Sequence, residues 1–65
     1  MGKKTGAARL AAWLASGHTQ AELAKRIDAS QTAISLWKSG KVKPSREFAV
    51  AIERVTEIPV EAWSA

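Results

Sequence analysis

The side chains best suited to chemistry lie close together near the middle of the chain. They are the hydroxyl and amide groups of Ser30, Gln31, Thr32 and Ser35. A Gln amide can bond N6 and N7 of one adenine at the same time, and a Thr can donate a hydrogen bond or contact a thymine methyl. The alternative interpretation is an ordinary hydrated helix surface, where such side chains are common, and recognition of base edges is favoured only together with the features described below.

Positive charge surrounds this polar group. The net charge is +4, from ten Lys and Arg residues against six Asp and Glu residues. Residues 1–46 hold nine of the cations against two acidic residues, a net +7, whereas residues 47–65 hold one against four, a net −3. The positive charge thus belongs to the part of the chain that carries the polar group, as binding to a polyanion requires. An ordinary solvated basic surface is the alternative interpretation.

Two short helices must position the polar group. The first is expected after Thr19, whose hydroxyl caps the helix while Glu22 returns a second bond. The second is expected from Gln31 to Ser39, with Ser30 as its N-cap and Gly40 as its left-handed end. The apolar residues at helical spacing are Leu23, Ala24, Ile27, Ile34 and Trp37. Because neither helix can bury a face by itself, the two must cross, which leaves the polar group on the outer face of the second.

Three further helical segments are expected around this pair. They are an Ala-rich helix over residues 6–16, a fourth helix over about residues 46–55, and a last short helix that begins at Ile58-Pro59. No strand pattern or repeat is present in the sequence. These segments predict a compact all-α domain of five helices over residues 6–65. Residues 1–5 are expected to be a flexible basic tail, for which disorder is favoured over an arm that reaches along DNA.

The order of residues resembles the helix-turn-helix of the Cro/CI-like, or lambda-repressor-like, regulators of the phage Cro and repressor type. The matching residues are Gln20, Leu23, Ala24, Ile27, Ile34 and Trp37, then Ser39-Gly40 and the basic residues Lys41, Lys43 and Arg46. The resemblance covers roughly residues 7–63. Members of the family commonly have Gly in the turn where this chain has Asp28, and often near Glu57, so the chain departs from the pattern at two turns.

The resemblance implies a helix-turn-helix at helices 2–3 whose second helix enters the DNA major groove. It places Ser30, Gln31, Thr32 and Leu36 at positions that usually meet base edges. An exposed Leu36 would either cover a thymine methyl or pack at the rim of the domain. It also implies a homodimer through the fourth and fifth helices, and the candidate contacts are Ile58, Val60 and Trp63. For Trp63, a position in the core is the equal alternative.

The DNA strands need a second set of residues that grip phosphates without reading bases. The free amides at the start of the helix after Thr19 offer one such site, to which Gln20 adds a side-chain bond. The cations beside the second helix offer another. The candidate phosphate-binding residues are Thr19, Gln20, Lys38, Lys41, Lys43 and Arg46.

These features predict a sequence-specific regulator that binds an operator in double-stranded DNA, of the Cro-type phage or mobile-element repressor class. The alternative is the antitoxin of a toxin–antitoxin pair. No catalytic residue, metal or cofactor is expected, since the chain has no Cys and a single His, His18, which we expect to be exposed or near a phosphate. No small-molecule ligand or membrane is expected as a partner. A cytoplasmic, nucleoid-associated location is expected, because no signal or spanning apolar run is present.

Overall fold

The computed structural model of the protein describes residues 5–64, and within that range every regular element is helical. The α-helices are α1 (Gly6–Ala15), α2 (Gln20–Ile27), α3 (Gln31–Ser39) and α4 (Arg46–Thr56). A 3-10 helix over Val60–Trp63 follows them. The all-α prediction is confirmed. The predicted tail falls largely on residues 1–4, which lie outside the described residues.

The fifth predicted helix is a single 3-10 turn, so the described residues hold four α-helices and not five. Its backbone bonds run from Ala62 N–H to the Pro59 carbonyl at 3.0 Å and from Ser64 N–H to the Glu61 carbonyl at 3.1 Å. The i→i+3 bonding of a 3-10 helix is common in short segments such as this one.

Each α-helix begins at a hydroxyl side chain. The N-caps are Thr5, Thr19, Ser30 and Ser45, and each oxygen accepts from the backbone N–H three residues later at 3.0–3.4 Å. Caps of this kind stabilise a helix by about 1 kcal/mol each. The predicted caps at Thr19, Ser30 and Ser45 are confirmed, and Thr5 is the start of α1 and not part of a tail.

Three helices end in the left-handed conformation. Gly40 has φ 83°, as expected for a C-cap glycine, and Asp28 and Glu57 have φ 59° and 64°. The two acidic residues therefore stand where the family pattern prefers Gly, and each donates its backbone N–H to the carbonyl four residues earlier. The turn between α2 and α3 forms in spite of the missing glycine, because Asp tolerates this region better than most residues.

The core draws one fully buried side chain from each α-helix. These are Leu10, Leu23, Ile34 and Ile52, all with no exposed surface. Helix α3 packs against both α1 and α2, and α4 packs against α2. The ring of Trp37 lies 5.2 Å from that of Phe48, which ties α3 to α4. Helix α3 is thus held on its inner side by every other α-helix.

The 3-10 helix closes the fold against the start of α1. A Cβ atom at Gly6 would overlap the indole ring of Trp63, with Cε2 only 2.8 Å away. Trp63 is 7% exposed and Ile58 is 4% exposed within one subunit. Both side chains therefore belong to the core, which leaves them little surface to offer as dimer contacts. Val60, the third candidate, remains half-exposed.

Candidate nucleic-acid interface

Helix α3 separates an apolar inner face from a polar outer face. Ile34 is fully buried and Trp37 is 4% exposed. The exposed residues at the start and outer side of the helix are Ser30, Gln31, Thr32, Ser35 and Leu36. Residues 31, 32, 35 and 36 recur at helical spacing and so share one side of α3. All five side chains are therefore accessible to a ligand.

Two of the candidate residues also act as helix caps. The Ser30 oxygen accepts from Ala33 N–H at 3.0 Å, and the Thr19 oxygen accepts from Glu22 N–H at 3.0 Å. A hydroxyl has one proton to donate besides its acceptor positions. Both side chains can therefore cap their helices and still donate a hydrogen bond to a ligand oxygen. The cap bond holds the hydroxyl group of each side chain in place.

The loop after α3 is pinned to the end of the helix. The Leu36 carbonyl accepts from the Ser39 hydroxyl at 2.9 Å and from Val42 N–H at 3.5 Å. The Ser39 oxygen in turn accepts from Lys41 N–H at 3.3 Å. Pro44 is buried at the far end of the loop. These contacts give the loop a defined path beside α3.

Four cations lie at the end of α3 and in the segment that follows it. The side chains of Lys38, Lys41, Lys43 and Arg46 are all exposed. Lys38 lies in the last turn of α3, and Arg46 begins α4. The polar side chains of α3 and the cations that follow them are therefore all exposed, as the sequence predicts.

The start of α2 is organised by an aromatic stack that the sequence did not reveal. The His18 ring lies face to face with the Trp13 ring, with centroids 3.8 Å apart and planes 2° apart. His18 Nδ1 is 3.8 Å from a Glu22 carboxylate oxygen. His18 is therefore half-buried against Trp13 and not fully exposed, and a position near a phosphate stays a prediction. The only sequence signal was its position five residues after Trp13, across the α1–α2 turn.

Glu22 also departs from its predicted role. Its carboxylate lies 3.8 Å from a guanidinium nitrogen of Arg26 as well as near His18. Among the hydrogen bonds of residues 5–64, Thr19 caps α2 but Glu22 makes no return bond, so half of the capping box is formed. Thr19 itself is exposed and Gln20 is half-exposed, so both are accessible at the start of α2.

Sequence reasoning also missed Val42. This side chain is 46% exposed between two lysines, and with Leu36, 38% exposed, it is one of two large apolar side chains on the surface of residues 5–64. The sequence signal that could have revealed it was a single apolar residue between two lysines of the loop after α3.

Neither a metal centre nor a membrane span is seen in the part of the chain that the structure describes. No three His, Cys, Asp or Glu side chains of residues 5–64 come together as possible metal ligands. None of the helices in that range combines the length and apolar character needed to cross a bilayer.

Comparison with known proteins gives one match. A family model described as helix-turn-helix, of the Cro/CI type, matches residues 10–63. No curated protein and no solved structure matches the chain significantly. The matched segment runs from α1 to the 3-10 helix and includes every candidate residue named above.

Proposed function

Because the chain belongs to the Cro/CI-type helix-turn-helix family, we propose that it is a sequence-specific transcriptional regulator that represses by occupying an operator in double-stranded DNA. The observation that carries this proposal is the outer face of α3. It exposes short polar side chains at the start of a helix, and cations follow at its end. DNA presents base edges and phosphates side by side, which such a surface fits.

In this proposal α2 and α3 are the two helices of the motif, and α3 enters the major groove. The left-handed turn at Asp28 separates them, and the Ser30 cap starts α3 two residues later. A recognition helix contacts bases with its N-terminal residues. The exposed positions of α3 begin at its first residue, which supports this orientation.

The base-reading residues are Ser30, Gln31, Thr32, Ser35 and Leu36. Gln31 is the strongest candidate for a specific contact, since its amide matches the N6 and N7 edge of adenine. Thr32 can bond a base or touch a thymine methyl. Ser30 precedes this pair and Ser35 follows it, and each can donate a hydrogen bond from a short side chain.

The phosphate-binding residues are Thr19, Gln20, Lys38, Lys41, Lys43 and Arg46. Thr19 and Gln20 lie at the start of α2, where the unpaired amides and the positive end of the helix dipole favour an anion. The four cations at the end of α3 and after it would hold phosphates by charge. Two anchoring points, at the start of α2 and at the end of α3, would fix the register of α3 in the groove.

Two subunits would bind together on DNA. A helix-turn-helix dimer places its recognition helices about 34 Å apart, one turn of the double helix. The subunit is 33 Å along its longest axis, so two side by side can span that distance. Val60, half-exposed on the 3-10 helix, is the contact that we propose, because Ile58 and Trp63 are already used inside the subunit.

Selection of bound duplexes from a random pool tests this function. We expect enrichment of one sequence made of two inverted half-sites, with affinity that falls as salt rises. Equal affinity for all duplexes of the pool would contradict the proposal of a sequence-specific regulator. An antitoxin would also bind an operator, and a small toxin that co-purifies from the native host would identify it.

A further inference from the structure

A groove with an apolar floor runs between α2 and α4. It has a volume of about 710 Å³, and the described residues that line it belong to the last turn of α2 and to α4. Ile27 is 7% exposed, and Val50, Ala51 and Val55 are half-buried. These four side chains give a strip of apolar surface between the two helices, and the space above it is called the α2–α4 groove.

Three exposed arginines also line the α2–α4 groove. They are Arg26 from α2, and Arg46 and Arg54 from α4. Because Arg46, Val50 and Arg54 follow each other at intervals of four residues, they share one row along α4, and the two arginines are about 12 Å apart along its axis. Arg26 lies 3.8 Å from a Glu22 carboxylate oxygen, but within residues 5–64 neither Arg46 nor Arg54 is in a salt bridge. Both can therefore donate hydrogen bonds to carboxylates of another molecule.

The charge of the α2–α4 groove restricts what can cover it. Among the described residues that line it, Glu47 alone is acidic, so three positive charges stand against one negative charge. A second copy of the chain bound through the same groove would bring six guanidinium groups against two carboxylates, and like charges brought together oppose binding. A DNA backbone would supply phosphates, but it has no apolar group for the floor, and Glu47 would repel it. A protein segment with both carboxylates and apolar side chains matches the whole groove.

We propose that the α2–α4 groove binds an acidic amphipathic segment of a protein partner, and that this partner weakens binding to the operator. The segment lies along α4 as a helix. Its carboxylates, about eight residues apart, bond Arg46 and Arg54, and an apolar side chain midway between them covers Val50. Because Arg46 is also a proposed phosphate contact, the partner and DNA compete for it. This competition rests on the proposed function, whereas binding of the segment does not.

A synthetic amphipathic helix tests binding to the groove. The probe, called the Glu peptide, carries Glu at two positions about eight residues apart and Leu midway between them. The Gln peptide has Gln in place of both Glu residues, and the scrambled peptide keeps the composition and charge of the Glu peptide in another order. Fluorescence anisotropy of the labelled peptides gives their affinities for the full chain. We expect the Glu peptide to bind about tenfold more tightly than either control, since only it places both carboxylates against the arginines.

Two matched variants locate the contact. Arg54→Gln removes an arginine of the groove that is not among the proposed phosphate contacts, and Arg9→Gln makes the same change at an exposed site on α1 outside the groove. We expect Arg54→Gln to weaken binding of the Glu peptide about threefold and to leave binding of the Gln peptide unchanged. It should change operator affinity no more than Arg9→Gln does, and Arg9→Gln should leave binding of the Glu peptide unchanged. Thermal melting checks that both variants fold.

Competition with DNA is measured with the operator selected from the random pool. Addition of the Glu peptide should raise the apparent Kd of the wild-type protein for the operator, because the peptide occupies Arg46. The Gln peptide and the scrambled peptide should have no such effect at the same concentration. The scrambled peptide shows that negative charge in solution is not enough to displace DNA.

The outcomes separate this inference from the function on which part of it rests. Equal binding of the Glu peptide and the scrambled peptide would overturn it, and so would binding of the Glu peptide that Arg54→Gln leaves unchanged. A larger loss of operator affinity in Arg54→Gln than in Arg9→Gln would also overturn it, since the groove would then belong to the DNA interface. Binding of the Glu peptide with no effect on the operator would overturn the competition alone. Failure to select any operator would overturn the proposed function, and the peptide affinities would still decide whether the groove binds an acidic segment.

Discussion

At the scale of single residues, the proposed base-reading residues within α3 and the residues of α3 that stabilise the core are different side chains. Gln31 and Thr32 are exposed on α3, whereas Ile34 and Trp37 on its other side are buried. Surface substitutions away from caps and special backbone positions change stability by about 0.5 kcal/mol or less. Changes at the exposed positions therefore test DNA recognition with little interference from folding.

Replacement of Gln31 by Ala should relax the preference for one base of the operator. The lost bidentate contact is worth about 1–3 kcal/mol at that position, and other positions should keep their preference. Selection profiles of both proteins against the same random pool measure this. Gln20→Ala is the matched control, because the same substitution at a phosphate-binding residue should weaken all sequences alike. A profile of Gln31→Ala that equals the wild-type profile would remove Gln31 from the base-reading set.

Replacement of Lys43 by Ala should weaken binding to every sequence and leave the preferences intact. The salt slope, the change of log K with log salt concentration, should fall in size by about one, since one fewer counterion is released. Lys25→Ala removes the same charge from an exposed site on α2 outside the proposed interface. Its slope should match that of the wild type, and equal slopes for all three proteins would exclude Lys43 from the phosphate contacts.

At the scale of elements, the ends of the helices decide where the recognition helix starts. A left-handed L-residue costs about 1–2 kcal/mol, and Asp28 and Glu57 both adopt this conformation. At Asp28, the turn keeps α2 and α3 as two crossed helices and prevents one continuous helix. The N-caps at Thr19 and Ser30 complete the pair with hydroxyls that also lie at the proposed DNA surface.

The junction of α1 with the 3-10 helix should be intolerant of added volume. Gly6→Ala would place a methyl too close to the indole ring of Trp63, which must shift, and overpacking of this kind costs about 1–3 kcal/mol of stability. Urea unfolding of the two proteins measures the loss. In a double-mutant cycle with Trp63→Phe, the combined loss should be smaller than the sum of the single losses, because the smaller ring makes room. Simple additivity would mean that the two residues do not press on each other.

At the scale of the whole molecule, charge is divided between two ends of the chain. Four cations of the basic part of the chain lie at the proposed interface, and the net −3 of residues 47–65 lies on and after the first turn of α4. A polyanion is therefore attracted toward one part of the surface more than the other. This asymmetry favours encounter with DNA in a productive orientation.

The salt dependence of operator binding should report how many subunits bind. Four cations per subunit are proposed to hold phosphates, so the slope of log K against log salt should be about −3 to −4 for one subunit and about twice that for two. Equilibrium titrations at several salt concentrations measure the slope, and sedimentation of the complex gives the stoichiometry independently. A slope near −1 would contradict the proposed set of phosphate contacts.

Much of the fold and part of the site followed from local order along the chain. The four α-helices, three of the N-caps and the outward position of Gln31 and Thr32 were predicted correctly. Each of these depends on residues within one or two helical turns, so spacing is enough to reveal them. The roles of the exposed residues in DNA binding stay predictions that the experiments above address.

The chain's order of residues determined where helices begin and end and which side of α3 is polar, because caps, turns and helical spacing act over a few residues. Only the tertiary structure decided that Trp63 and Ile58 are core, that His18 stacks on Trp13, and that Val42 is exposed. These features depend on which surfaces meet when the helices pack. The burial of Trp63 against Gly6 joins residues from opposite ends of the chain, and no local pattern specifies such a contact.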